Sequence, residues 1–304
     1  MILVYLFIFG IFFLLSSTFR CIVFNPFSTI WYALKDTFFY FKHKKYNNAK
    51  YGFVDCYTAH DSKAFGCGKT LTAVDYCYRQ YKKYDGKKVW DEKKKKFVKQ
   101  KVYILSNVDF IGIPYIKLTG MGQFVSLCEE RYKKDKEEDI CSVIIMLIDE
   151  CGAAYNSRSF RDNFNPMAIK TLLTARHYKA SCILTAQRFS MCDALWRSVV
   201  NRVIACDKWL RFQRLNYFDG YTMETAQNPA LVKPYKKTCW FIKDKAFERY
   251  DTFQLLSDIK KSCEEGDMLS EQEILINLGN TDVNMDGVLK PSKKFVKTKK
   301  KMYK

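Results

Sequence analysis

Ser62-Lys63-Ala64-Phe65-Gly66-Cys67-Gly68-Lys69-Thr70, answered later in the chain by Ile144-Ile145-Met146-Leu147-Ile148-Asp149-Glu150, is the pair of stretches on which the fold turns. A Gly-x-Gly turn lets backbone N–H groups converge on phosphate oxygens at a helix N-terminus. A following Lys-Thr adds an ammonium for the β- and γ-phosphates and a hydroxyl for Mg2+. Gly66, Cys67, Gly68, Lys69, Thr70 and Leu71 are therefore the expected nucleotide-binding residues. The apolar run ending in Asp-Glu reads as a buried parallel strand. It would deliver Asp149 to the Mg2+ shell beside Thr70, and Glu150 to an attacking water. The full phosphate-loop pattern has glycine six residues before Lys69, where this chain has Lys63. Either the loop is entered through a non-glycine residue or the match is accidental; the Asp149-Glu150 strand, in the right order, favours the first.

The chain has 304 residues, 48% of them hydrophobic and 16% aromatic, which is enough for one core of about 200 residues plus appendages and excludes a disordered protein. A formal charge of +19 predicts a polyanionic partner, either nucleic acid or the anionic face of a membrane. Lysine dominates the excess, so biased codon usage is a competing explanation. The 12 cysteines contain no Cys-x-x-Cys pair and have no histidine at metal spacing. They read as reduced thiols of a cytoplasmic domain, with Cys67 a small filler in its loop.

Residues 1–19 carry no charged side chain, and Ile2 to Leu15 is almost unbroken Leu, Ile, Phe and Val. That is a signal anchor at the lower limit of bilayer length, since no basic segment precedes it and no small-residue cleavage site follows. Arg20, Lys35, Lys42, Lys44 and Lys45 all come after it, so the positive-inside rule puts the bulk of this single-pass protein on the cytoplasmic side of the membrane. The aromatic segment 22–41 is either an interfacial helix or an extension of the embedded part.

Further on, the pattern predicts a strand over 51–57, a helix over 70–84 and a protruding hairpin over 87–100. That hairpin carries the Lys93–Lys96 run, either as a solvated excursion or as a DNA-contacting loop. Strands are expected over 101–108, 142–150, 180–187 and 199–207, a helix over 123–134 and a closing pair of strands within 238–252. Such alternation gives an α/β fold with a mainly parallel sheet and helices on both faces, preceded by the transmembrane helix. The expected domains are an anchor and juxtamembrane segment (1–48), an ATPase core (49–255) and a helical, then basic, disordered tail (256–304) free to lie on DNA or lipid. Asp282-x-Asn284-x-Asp286-Gly287 matches half of a calcium loop, but Lys293 at its twelfth position cannot give the bidentate carboxylate, so it reads as a polar turn. His60 and His177 have no second candidate ligand nearby.

At Leu147-Ile-Asp-Glu150, Ser157-Arg158, Ala175-Arg176-His177-Tyr178 and Ile183-Leu-Thr-Ala-Gln187 the chain resembles the zonular occludens toxin-like family, the assembly ATPases of filamentous phages within the FtsK/HerA class of DNA motors. Ser106-Asn107 and Tyr250-Asp251-Thr252 are similar to its pattern too. The resemblance implies a RecA-like P-loop NTPase core and a homo-oligomer, a ring such as a hexamer. It would couple hydrolysis of ATP, with Mg2+, to export of DNA, single-stranded DNA in the first instance, with phage export or coat proteins as partners. It also implies that Gln187 senses the γ-phosphate and that Arg176 is a finger offered to a neighbouring subunit, with Arg188, Arg197 and Arg202 as alternatives. Family members usually carry the membrane helix after the core. Here the apolar segment comes first, as in FtsK and the coupling ATPases of conjugation, so a translocase of double-stranded DNA is the alternative. A non-catalytic membrane scaffold that tethers DNA is the alternative of another class.

Overall fold

The computed structural model describes Tyr5, Phe13 and residues 16–60, 66–154, 166–250, 281–283 and 289–291. The chain separates into two compact units, Met1–Asp251 and Thr252–Lys304. The described part of the second is one antiparallel pair, Thr281–Val283 with Leu289–Pro291.

The first unit opens with α1 (Ser17–Phe24) and α2 (Pro26–Lys42). Pro26, at the first turn of α2, ends one helix and starts the next, because its ring fixes φ and it has no N–H to give. Except for Tyr5 and Phe13, the expected anchor 1–15 lies outside the described residues. Among the described residues, no helix is long and apolar enough to cross a membrane.

The remainder of this unit is a sheet of nine strands: β1 (Val54–Ala59), β2 (Lys88–Asp91), β3 (Lys96–Ser106), β4 (Ile116–Lys117), β5 (Ile140–Ile148), β6 (Ala180–Thr185), β7 (Arg202–Trp209), β8 (Phe212–Asp219) and β9 (Lys236–Phe241). Their lateral order is β2-β3-β5-β6-β1-β7-β8-β9, with β4 beside β3. The five strands β3, β5, β6, β1 and β7 run parallel; β2, β8 and β9 are antiparallel to their neighbours. β5 is buried from Cys141 to Ile148, as its unbroken apolar sequence requires of a strand covered on both faces. On one face, α3 (Lys69–Tyr84) sets Ala73, Val74 and Cys77 into a cluster with Tyr57, Ile145, Leu147 and Ile183. On the other, α4 (Met121–Glu137) contributes Met121, Phe124 and Cys128 to a cluster with Leu105, Ile144, Met146 and Ile148.

Several expected elements shift. β1 begins at Val54 rather than residue 51, because Gly52 takes φ +77° and spends its N–H on Ala180 O. The 87–100 segment forms the expected hairpin, β2 pairing antiparallel with the first residues of β3, but β3 does not start after it: the strand runs unbroken from Lys96 to Ser106 and joins β5 from Lys99 onward. Gln100, where the hairpin was expected to end, is instead buried, its amide tied to Ala49 N, Asn47 O and Tyr84 O. Two of the four lysines in the run are structural. Lys94 Nζ donates to Asp135 O and Glu138 O, and Lys96 pairs with Asp139 at 2.6 Å. The closing strands are β8 and β9, not a pair within 238–252, where a short helix starts at Asp244. The Ser157-Arg158 motif, Asp251-Thr252, residues 284–288 of the calcium-like turn and the basic tail fall outside the described residues.

Candidate active site

The C-terminal ends of the parallel strands form one edge of the sheet, and four loops meet there. β6 lies between β1, which leads to the phosphate loop, and β5, which leads to Asp149. The residue after a strand in that central place is held between the two, and that residue is Gln187.

Residues 61–65, Lys63 among them, are not described; from Gly66 onward the loop is. Gly66 and Gly68 adopt φ +67° and +80°, the left-handed region that aims successive N–H groups inward, and Gly68 caps α3. Gln213 on β8, completely buried, donates from Nε2 to Cys67 O at 2.9 Å and so clamps the loop from below. A Cβ at Gly68 would stand 2.2 Å from Gln213 Oε1, so the clamp leaves no room for a side chain. Cys67 is buried as the small filler expected of it, and Leu71 packs with Ile242 and Ala246 below the helix start.

Thr70 Oγ1 donates to Asp149 Oδ1 at 2.9 Å, and Thr185 Oγ1 to the same oxygen at 2.6 Å. Asn107, at the end of β3, fixes the Asp149 backbone in both directions: Asp149 N donates to Asn107 Oδ1 at 2.8 Å, and Asn107 Nδ2 to Asp149 O at 2.9 Å. Burial pushes the Asp149 carboxyl above its ordinary value, against the Thr185 and Thr70 hydrogen bonds and the charge of Lys69. A hydroxyl and a carboxylate meeting so closely are hard oxygen donors of the kind Mg2+ takes, and a cation there would hold Asp149 ionised. The donor set fits the ion.

Glu150 follows with φ +50°, a strained conformation for a residue with a side chain, held by Glu150 N donating to Thr185 Oγ1 at 3.0 Å. Its carboxylate accepts from Gln187 Nε2 at 2.8 Å, and Gln187 Oε1 accepts from Lys69 Nζ at 2.8 Å. One amide thus joins the phosphate-loop lysine to the acid. Burial, and then the charge of Asp149, push Glu150 upward. Beneath this relay Cys151 Sγ lies 3.3 Å from Cys192 Sγ, packing the loop after Gln187 onto the turn after Glu150.

Arg176 stands apart. It precedes β6, so it occupies the opposite edge of the sheet, exposed, with its backbone and Cβ against Gly52. The structure does not bring it to the nucleotide site of its own subunit. Of the alternatives, Arg197 donates to Glu224, Ser190 O and Cys192 O, and Arg202 holds Asp55. Arg188 is exposed directly after Gln187, and no described residue pairs with its guanidinium. Asn107, Thr185 and Gln213 had no role assigned from sequence. The first two lay inside quoted strand ends, where a polar residue closing an apolar strand was the available signal. Gln213 had none, because its partner is a backbone carbonyl far away in the chain.

No curated protein sequence matches the chain. Among solved structures, the N-terminal domain of zonular occludens toxin from Neisseria meningitidis is 16% identical, over 66% of this chain and 100% of its own, with a TM-score of 0.38. B204, the DNA-packaging ATPase of Sulfolobus turreted icosahedral virus, is 11% identical over 63% of this chain and 98% of its own, also at 0.38. ATPases 2 and 3 of EssC from Geobacillus thermodenitrificans are 13% identical over 70% of this chain and 43% of theirs, at 0.35. The family model for zonular occludens toxin (Zot) matches residues 64–253. That range is most of the chain and encloses every residue of the site, from the phosphate loop to the Gln213 clamp: the chain belongs to the Zot family.

Proposed function

We propose that the protein is a membrane-anchored ATPase that couples ATP hydrolysis to DNA movement, in the first instance export of phage single-stranded DNA during virion assembly. The observation that carries this is the relay Lys69–Gln187–Glu150 beside the Thr70–Asp149 pair, in a loop whose glycines open it to phosphate. Bound Mg2+ supplies charge neutralisation across the phosphates. The chain does the rest. The 66–71 backbone and Lys69 hold phosphate oxygens, Thr70 and Asp149 hold the ion, and Glu150 orients a water and accepts its proton. Gln187, which bridges Lys69 and Glu150, exchanges one of these partners for a phosphate oxygen when nucleotide arrives and so reports the γ-phosphate. Family membership supports the DNA-export role, and the charge of +19 supports a polyanionic partner. The uncharged segment 1–19 with its following lysines supports an anchor in the host inner membrane and a cytoplasmic core. We place the acting unit as a homo-oligomeric ring, hexameric by the same resemblance, with a finger from Arg176 or Arg188 in trans.

The anchor-first order of the chain favours a second reading, a translocase of double-stranded DNA. ATP hydrolysis by the full chain, alone and with single- or double-stranded DNA, tests both. Stimulation by one strand form, lost in Lys69→Ala, supports a motor and selects its substrate. An oligomer that binds ATP and DNA but does not turn over would make the protein a scaffold.

A further inference from the structure

The edge of the sheet opposite the nucleotide holds a cleft of about 560 Å³ for which the ATPase chemistry has no use. The last turn of α2, the following short helix Lys45–Asn47 and the start of β7 line it. Tyr40 and Tyr51 form apolar walls. Lys45, Lys50 and Arg202 bring positive charge. Arg202 already neutralises Asp55, with contacts of 2.8 and 2.5 Å, and Lys45 has one loose pair, 3.4 Å from the exposed Glu92. Lys50 is exposed, and its charge, like that of Arg202, acts on Asp55. Asn48 Oδ1 is buried at the same cleft and has no hydrogen-bond donor. The cleft therefore offers cationic donors to an oxyanion.

What leads into it defines the ligand. α2 carries Phe27, Trp31, Leu34, Phe38 and Phe41 along one stripe at helical spacing, and all are exposed, Phe27 by 86% and Trp31 by 67%. Lys42, Lys44 and Lys45 follow where the stripe ends. An aromatic stripe capped by lysines is the pattern of a helix lying in the plane of an anionic membrane surface. The join to the core is rigid: His43 stacks on Trp90 of β2 with ring centroids 4.3 Å apart, and Asn47 Nδ2 donates to Lys88 O.

We propose that this cleft binds the phosphate of an anionic glycerophospholipid headgroup, phosphatidylglycerol in kind, while α2 lies in the same leaflet. The phosphate sits between Lys45, Lys50 and the exposed side of Arg202. This rests on the membrane anchoring proposed above, and not on the ATPase.

The test uses the full chain in nanodiscs of phosphatidylcholine, or of phosphatidylcholine and phosphatidylglycerol in equal parts. Hydrogen exchange is read over residues 44–53, and carbonate extraction reports insertion separately. The expected result is insertion in both, with exchange over 44–53 slowed about fivefold or more by phosphatidylglycerol, as for a lysine held at an anionic surface. The slowing is lost in Lys45→Gln/Lys50→Gln and kept in the control Lys133→Gln/Lys136→Gln. Insertion with equal exchange in the two lipids overturns the site and leaves the anchor standing. Extraction by carbonate removes the anchor and the site together. Equal slowing in neutral discs by inorganic phosphate would give the cleft to a soluble phosphate ester, and slowing only by an oligonucleotide would give it to nucleic acid; either overturns the lipid.

Discussion

Gln187 Nε2 donates to Glu150 Oε1 at 2.8 Å, while the oxygen of the same amide accepts from Lys69 Nζ. In the roles proposed for Lys69 and Glu150, an amide that bridges them would act on turnover rather than on affinity. Gln187→Ala is expected to lower hydrolysis by about 10²-fold, the loss of one oriented donor, and to change ATP affinity less than about fivefold. Glu150→Gln should cost about 10² to 10⁴ in kcat with binding kept. Single-turnover hydrolysis set beside fluorescent-nucleotide titration separates the two; a loss confined to affinity would contradict the relay.

The Gln213 clamp can be probed by crowding it. Gly68→Ala places a methyl against Gln213 Oε1 at a backbone φ that disfavours any side chain. It should abolish nucleotide binding and cost about 2 kcal/mol of stability from strain and overlap. Adding Gln213→Ala removes the overlap but not the strained φ, so stability should return in part while binding stays weak. Full recovery of both would show that the backbone conformation is immaterial.

Asp149 makes stability and activity oppose each other. Burial raises its folded pKa above the ordinary value. The stability it contributes is therefore present at acid pH and is lost as pH rises through the folded value. At neutral pH, without a cation, the charged carboxylate is a cost. Asp149→Asn should raise the melting temperature of the nucleotide-free protein at neutral pH, with the gap narrowing toward acid pH, while Mg2+-dependent hydrolysis is lost. Parallel melting curves across pH would contradict this.

At the other edge of the sheet, Asp55 is buried with Arg202 as its hydrogen-bonded partner. Arg202→Met strands that carboxylate and should cost about 3 kcal/mol by urea unfolding, the low end for a buried pair because the arginine is partly exposed. Adding Asp55→Asn should recover most of it. An additive double variant would mean the pair does not interact.

The parts of the fold legible in the sequence were those where one physical requirement dominates. An unbroken apolar run reads as a strand covered on both faces, which is β5, and the Gly-x-Gly-Lys-Thr turn, taken with the Asp149-Glu150 strand, as the entry to a helix, which is α3. β8 escaped because its alternation is interrupted by Asn216 and Tyr217 and its outer neighbour is a half-exposed ribbon. The start of β3 was placed after Gln100 because a polar residue reads as a break, until its three hydrogen bonds are seen to bury it. In the site, Lys69, Thr70, Asp149 and Glu150 were singled out by residue type and strand-end position and Gln187 by the family resemblance, and the structure brings all five together. Asn107 and Thr185 act through the backbone or as donors to Asp149, roles that no spacing encodes.

α2 joins the core where the parallel strands begin, and the nucleotide edge lies where they end. A load passed between the two therefore runs along the strands and not across them. Neighbouring strands then slide past one another as a whole, so the ladder bonds of β3, β5, β6, β1 and β7 resist together instead of parting one by one. The sheet is stiffest in the direction in which a tethered motor would strain it.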